Sequence, residues 1–449
     1  MTPRTRLIAA AAAATLTVGL IGPASPATAT DDAPEAPASD ASAGTRAAEP
    51  AEPAAFLSQK VTPTKKKVTP YAFSGNGYGT SVSGGMIPVG SDRTGLARVS
   101  CTSEAGQVNQ NFVAEANLPG VGTVRGVSSK VFSGKKGGQF QTVARHKVAD
   151  IVLADTPLGS LSISGVNSVA KAIKDKDGYR AFANTTLAGI TFTPPVGDPI
   201  TLDLPTPGQP IEIPGLARIT LGRTIEKSDN REARAYAVGL VIDVFPTETT
   251  VKVARAKAEI EKGFRTGIFH GSAFPAKASV LGDIVRVGRV INRVMPCIGT
   301  DGELQTEDAA DVNIGDQIVV GAASAKQLGK QNKKRAVGRE VSEVATVDLG
   351  GGALTIEAIK SRVNVKRFKS GKLKRSASTR ILGISAGGES IPLDALEDGF
   401  EIPGLLALQT NVKRKISGGM KVIGLRITLL DGTGAVVDLA TSKLAIDRK

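Results

Sequence analysis

Two stretches of this chain match each other in order and spacing, and any fold it adopts must accommodate both copies. Phe73-Ser74-Gly75 precedes Cys101 as Phe269-His270-Gly271 precedes Cys297, each landmark recurring 196 residues on. Val148-Ala149 returns as Val344-Ala345 at the same offset. Leu161-Ser162-Ile163 returns as Leu354-Thr355-Ile356 at 193, and the segment 212–216 (EIPGL) returns as 401–405 at 189. The closing run 251–260 (VKVARAKAEI) is echoed at 437–446 (VDLATSKLAI) at 186. Order is kept while the offset shrinks in small steps, as loop deletions would make it. Solenoid periods run about 20–50 residues, so a unit near 190 is far too long for that class. It is long enough to build a core of its own, and the plan it implies is a duplicated domain.

Within each copy the pattern is that of strands. Apolar or alternating runs stand at 151–153, 161–163 and 238–245, and the last recurs at 423–429. Short β-branched runs punctuated by Gly, Pro, Asn and Asp are the mark of antiparallel sheets, and 51 Gly with 24 Pro are too dense for a helical protein of this length. Ser370-Gly371 reads as a hairpin tip and Gly350-Gly351-Gly352 as a turn between strands. Residues 254–262 (ARAKAEIEK) have helical propensity. Their counterpart near Leu439 reads as strand, so both are taken as strand. The expected fold is all-β: two tandem homologous antiparallel β-sandwich-like domains, 67–263 and 264–449.

Ahead of them lie two segments of another kind. Residues 1–29 read as a signal peptide, with Arg4 and Arg6 before an uncharged run from Leu7 to Ile21 and small residues at Ala27-Thr28-Ala29. Residues 30–66 form a disordered linker in which acidic residues are scattered among Ala, Pro and Ser. No cysteine follows the apolar run, and the C-terminal Asp447-Arg448-Lys449 carries no LPxTG-type sorting signal. The expectation is a secreted protein, extracellular or wall-associated, with no membrane insertion after signal cleavage. Export makes a bridge between Cys101 and Cys297 a natural reading. Two separately buried thiols are the alternative.

The segment 71–79 (YAFSGNGYG) followed by 95–102 (GLARVSCT) resembles the exported actinobacterial proteins of the choice-of-anchor P family; the second copy keeps Phe269-His270-Gly271 and 297–300 (CIGT). The resemblance implies a secreted or surface-displayed β protein whose anchoring differs among members. It implies no reaction and no catalytic residues.

Signals for catalysis are sparse. The two histidines, His146 and His270, do not occupy equivalent positions, and neither adjoins a nucleophile motif. Surface or capping roles are expected for both. Two cysteines 196 residues apart make no zinc motif. Asp175-Lys176-Asp177-Gly178 lacks the later ligands of a calcium loop and reads as a turn. Gly75, Gly77 and Gly79 are followed by no helix that would make them a phosphate cradle. Bulges or close strand contacts account for them better. No catalytic, cofactor or metal residue is assigned. With no Trp, 4 Tyr and 13 Phe, stacking platforms for sugars or single strands are scarce, and specific nucleic-acid recognition is not expected.

Charge is the one positive hint. The chain has a net charge of +14. Residues 67–263 carry 22 Lys/Arg against 17 Asp/Glu, and 264–449 carry 28 against 19. Residues 360–380 contain nine cations and no acid. Lys360, Arg362, Lys366, Arg367, Lys369, Lys372, Lys374 and Arg375 are the anion-binding candidates, since clustered cations concentrate anionic polymers in a salt-dependent way. Edge lysines that simply keep a hairpin soluble would look the same. The functional expectation is a secreted, non-catalytic surface- or wall-associated structural or adhesive protein. The alternative is a binding protein for anionic wall polymers through the 360–380 hairpin. A third reading, a hydrolase with an unrecognised carboxylate site, requires a deep cleft holding two carboxylates within about 10 Å.

Overall fold

Strand follows strand along nearly all of the chain that the computed structural model describes, namely residues 66–84, 93–118, 121–279, 289–310, 312–314, 318–396, 399–402, 406–430 and 434–448. The expected signal peptide, and the expected linker up to Lys65, lie outside the described residues. Fourteen strands occupy the first copy: β1 (Lys67–Gly84), β2 (Ala97–Ala105), β3 (Val108–Leu118), β4 (Gly122–Lys136), β5 (Gln139–Thr156), β6 (Gly159–Asp175), β7 (Gly178–Thr186), β8 (Gly189–Thr193), β9 (Ile200–Leu202), β10 (Ile211–Ile213), β11 (Ala217–Leu221), β12 (Thr224–Ser228), β13 (Glu232–Val244) and β14 (Thr249–Lys262). Fifteen occupy the second: β15 (Gly267–Ser279), β16 (Arg289–Val290), β17 (Arg293–Val294), β18 (Gln305–Ala309), β19 (Val312–Ile314), β20 (Ile318–Val320), β21 (Ala323–Gln331), β22 (Arg335–Leu349), β23 (Leu354–Phe368), β24 (Leu373–Ala386), β25 (Glu389–Ser390), β26 (Phe400–Ile402), β27 (Leu406–Ile416), β28 (Gly419–Leu429) and β29 (Val436–Arg448). The only described helical segments are two single turns of 3₁₀ form, Phe245–Thr247 and Asp394–Leu396.

Four antiparallel sheets result, two from each copy. The first copy builds β10-β11-β13-β14-β1-β2, with β12 beside β13, and β3-β4-β5-β6-β8-β9, with β7 beside β6. The second builds β16-β15-β29-β28-β27-β26, with β17 beside β15, and β18-β21-β22-β23-β24-β25, with β19 and β20 joined through β22. No described strand pairs across the boundary between copies. In each copy the first and last strands pair, so the chain closes on itself before handing over. The register repeats as well. Phe73 opposes Ile260 where Phe269 opposes Ile446, Asn76 opposes Arg98 where Ser272 opposes Val294, and Ile151 opposes Ile163 where Val347 opposes Ile356. These are the positions that the sequence echo aligns. The stretch 254–262 lies within strand β14.

Each pair of sheets encloses a core. In the first copy an aliphatic cluster (Val124, Ile151, Ile163, Leu240, Ile242, Val251) fills one end. An alanine-rich cluster around Phe73, including Ala144, Ala170, Ala235, Ala256 and Ala258, fills the other. Alanine lets the sheets approach closely, and the glycines of β1 are part of that contact. A Cβ added to Gly75 would lie 2.8 Å from Val131, and one on Gly79 would lie 2.2 Å from Val127. On Gly77 it would meet His146 Nε2 at 2.0 Å. His146 is therefore not a surface or capping residue: it is 2% exposed, lodged in the niche that Gly77 leaves. Burial, with Arg255 nearby, pushes its pKa down to about 3 and keeps the imidazole neutral. The second copy places Glu340 against Gly271 in a similar niche, fully buried, and burial drives its carboxyl well above the usual range.

The two copies meet in one compact unit. Cys101 and Cys297 are joined, with Cα atoms 5.3 Å apart, and around them cluster Ala72, Phe264, Ile268 and Ile298. Ala72 and Ile268 are equivalent positions, as are the two cysteines. Like surfaces of the two copies thus face each other, which is how a twofold contact is built.

Candidate functional site

The basic segment 360–380 forms a β-hairpin, β23 and β24, whose tip is at Ser370-Gly371. Alternation sorts its side chains. On β23 the odd positions 361, 363, 365 and 367 are buried and the even positions 360, 362, 364, 366 and 368 are half-exposed, so Lys360, Arg362 and Lys366 share the outward face. Register brings Arg380 directly opposite Lys360 and Lys374 directly opposite Lys366. On neighbouring β22, Arg339 and Arg335 lie opposite Asn364 and Phe368. Lys369 and Lys372 stand exposed at the tip.

The predicted cations fall into three environments. Arg367 points into the protein, only 9% exposed, where it donates to the carbonyls of Ile446 and Gly371 (the latter 3.4 Å). It braces the hairpin on β29. Arg375 donates to the Gly419 carbonyl at 3.4 Å, and Lys360 is paired with Glu343 at 2.5 Å. Burial pushes the Glu343 carboxyl up, but hydrogen bonds from Lys326 and Lys360 outweigh it and hold the group below the usual carboxylate range. Arg362, Lys366, Lys369, Lys372 and Lys374 have no carboxylate partner among the described residues. Lys366 lies 4.8 Å above the Phe368 ring, which props its ammonium outward. In the first copy the corresponding β6–β7 tip is internally neutralised, since Asp175 pairs with Arg180. That pairing makes the Asp175–Gly178 stretch a closed turn. Among the described residues no group of His, Cys, Asp and Glu is arranged to hold a metal.

A second locus was not legible as a site in the sequence. Beside the disulfide, a cleft of about 430 Å³ opens between the outward face of β14, β13, β1 and β2 and the segment 292–297 with Gln305, Glu307 and Gln327. Strand alternation presents Arg255, Lys257, Glu259 and Glu261 of β14 to it. Glu259 accepts from Ser74 and pairs with Lys257, both at 2.8 Å. Its burial is outweighed by Lys257, Ser74 and Arg234, which hold it below the usual range. Glu261 is 2% exposed. Burial and the charge of Glu259 push it up to about 7 against the pull of Arg234, 3.4 Å away. One of its oxygens has no partner, and neither has the side-chain oxygen of Gln327, itself 2% exposed. Arg255 is held between the rings of Tyr78 and Tyr236, 5.5 and 5.2 Å from their centroids, and donates to Asn76 at 2.5 Å. The array belongs to the first copy, for the counterparts of Arg98, Arg255 and Glu259 are Val294, Thr441 and Ala445. Alternation along one strand is the signal that places these four side chains together. That the second copy covers them required the packing of the two halves.

No family model matches this chain, and no curated protein matches it. Among solved structures, it has a slight likeness to an outer membrane protein of Vibrio cholerae, the L8 loop deletion mutant of OmpT. The identity is 7%, over 85% of this chain and 99% of that one, with a TM-score of 0.12. The alcaligin outer membrane receptor FauA of Bordetella pertussis is similar at 11% identity over 84% of this chain and 75% of that one, also with a TM-score of 0.12. Scores that low carry no argument about this chain.

Proposed function

We propose that this is a secreted, non-catalytic, wall-associated protein that holds anionic polymer through the outward face of the β22–β23–β24 sheet. The observation that carries the reading is cross-strand: Lys366 faces Lys374 in register, and neither has a carboxylate partner among the described residues. Like charges directly opposite one another destabilise a sheet, so this arrangement costs the fold something that a bound polyanion returns. The first copy, built on the same plan, closes its equivalent tip with an internal ion pair. The resemblance to exported surface proteins and the signal-like residues 1–29 support placing the chain outside the membrane. Polyanion binding of this kind weakens steeply with salt. Neutralising Lys366, Lys369, Lys372 and Lys374 together should abolish cosedimentation with purified cell walls at low salt. Unchanged cosedimentation would refute this use of the face.

A hydrolase has one observation in its favour, the pair Glu259 and Glu261 in a cleft. The engagement of Glu259 by Lys257 and Ser74 weighs against it, because a nucleophile or general base must be free to meet the substrate. Release of reducing ends from purified walls, lost in Glu261→Gln, would establish it.

A further inference from the structure

The cleft beside the disulfide is furnished for a ligand of a different size from a polymer. We infer that it binds a small anion that also carries hydroxyl groups: a phosphorylated or carboxylated sugar or polyol. The inference stands on other residues than the wall-binding face and does not depend on that reading.

Three observations converge. First, the walls carry more positive than negative charge, and two of the cations are uncommitted to carboxylates. Arg93, Arg98, Arg234, Arg255, Lys257 and Arg293 line the cleft with Glu259, Glu261 and Glu307. Among the described residues neither Arg98 nor Arg255 has a carboxylate partner. Arg98 stands exposed at the rim of the cleft, with the neighbouring walls desolvating it enough to lower its pKa. Arg255 is already oriented by two tyrosine rings and Asn76, which reduces the entropy lost when it grips an anion.

Second, the opposite need is also present. Glu261 and Gln327 both line the cleft, and one oxygen of Glu261 and the side-chain oxygen of Gln327 are buried there without a hydrogen-bond donor. Unmet acceptors inside a protein are costly, and hydroxyl groups are the donors that would satisfy them. A plain inorganic anion carries any proton it has on the anionic group itself, and so cannot engage the cations and offer separate hydroxyl groups to both acceptors. Third, the two acceptors come from different copies, Glu261 from β14 and Gln327 from β21, so one ligand would touch both halves. A volume of about 430 Å³ suits something the size of a single sugar unit. The rings of Tyr78 and Tyr236 are taken up by Arg255, which leaves charge and hydrogen bonding, not stacking, to hold it.

The test is calorimetric titration of the purified protein at low salt with glycerol 3-phosphate, glucuronate, inorganic phosphate and glycerol. Binding of glycerol 3-phosphate, glucuronate or both is expected, and which one binds identifies the anionic group. Inorganic phosphate should bind at least about tenfold more weakly and glycerol not at all. Removing one charge-assisted contact costs about ten- to a hundredfold in affinity, so Arg98→Ala should show that loss with an unchanged thermal midpoint. The double substitution Lys366→Gln, Lys374→Gln should leave the affinity intact. No binding of either anionic polyol would overturn the inference. So would affinity that is unaltered in Arg98→Ala, or inorganic phosphate binding as tightly as the polyols.

Discussion

Glu261 shows how a single residue can record the packing of two halves. Its strand position makes it outward-facing within the first copy, yet the second copy covers it to 2% exposure. Its folded pKa of about 7 lies above the ordinary value of 4.5. The folded state therefore holds more protons than the unfolded one between those values, and stability falls as pH rises through that window. Glu261→Gln should remove that group's share of the slope, matching the parent near pH 4.5 and exceeding it by roughly 3 kcal/mol at pH 8, as read by denaturant titration at both pH values. A parent curve equally steep in the variant would assign the effect elsewhere. Gly77 makes a second test at this scale. Its absent Cβ makes room for the His146 ring and the Arg255 carbonyl, 2.0 and 2.1 Å from where that atom would be. Gly77→Ala should therefore cost about 2–3 kcal/mol, measured by urea unfolding. A neutral outcome would mean that the sheets can part without penalty.

At the scale of the element, the β23–β24 hairpin places binding and stability in opposition. Replacing Lys366 and Lys374 by Gln removes an opposed like-charge pair and should raise stability by about 0.5 kcal/mol while weakening polyanion binding. Loss of both together would mean the lysines merely support the strand. Much of this element could be read in advance. Residues 360–380 showed their cations and Ser370-Gly371 its tip, because composition and turn chemistry are local. What could not be read was the sorting of the cations. Arg367 differs from Lys366 by one position, yet alternation turns it inward onto the Ile446 carbonyl, and its parity depends on which face the second sheet covers. His146 was misplaced for the same reason. A lone histidine in a polar-looking stretch reads as surface, and only the glycine niche on a strand some seventy residues away makes it interior.

For the whole molecule, the duplication was legible because equivalent landmarks survive at drifting offsets, and the strand registers follow the same alignment. The cleft was not legible, because it exists only where one copy lies against the other. The bond between Cys101 and Cys297 closes a loop of 196 residues. Its removal in Cys101→Ser, Cys297→Ser should cost about 5 kcal/mol on the chain-entropy account, seen as a lower denaturation midpoint, with the cleft loosened before either sandwich melts. An unshifted midpoint would mean that the seam is held by its apolar cluster alone. The central claim, that the second copy grips anionic polymer through its outward face, is tested most directly by cosedimentation with purified cell walls across a salt series, parent beside the variant neutralised at Lys366, Lys369, Lys372 and Lys374. The account predicts binding that fades with salt in the parent and is absent from the variant. Binding that ignores both salt and the substitutions would contradict it.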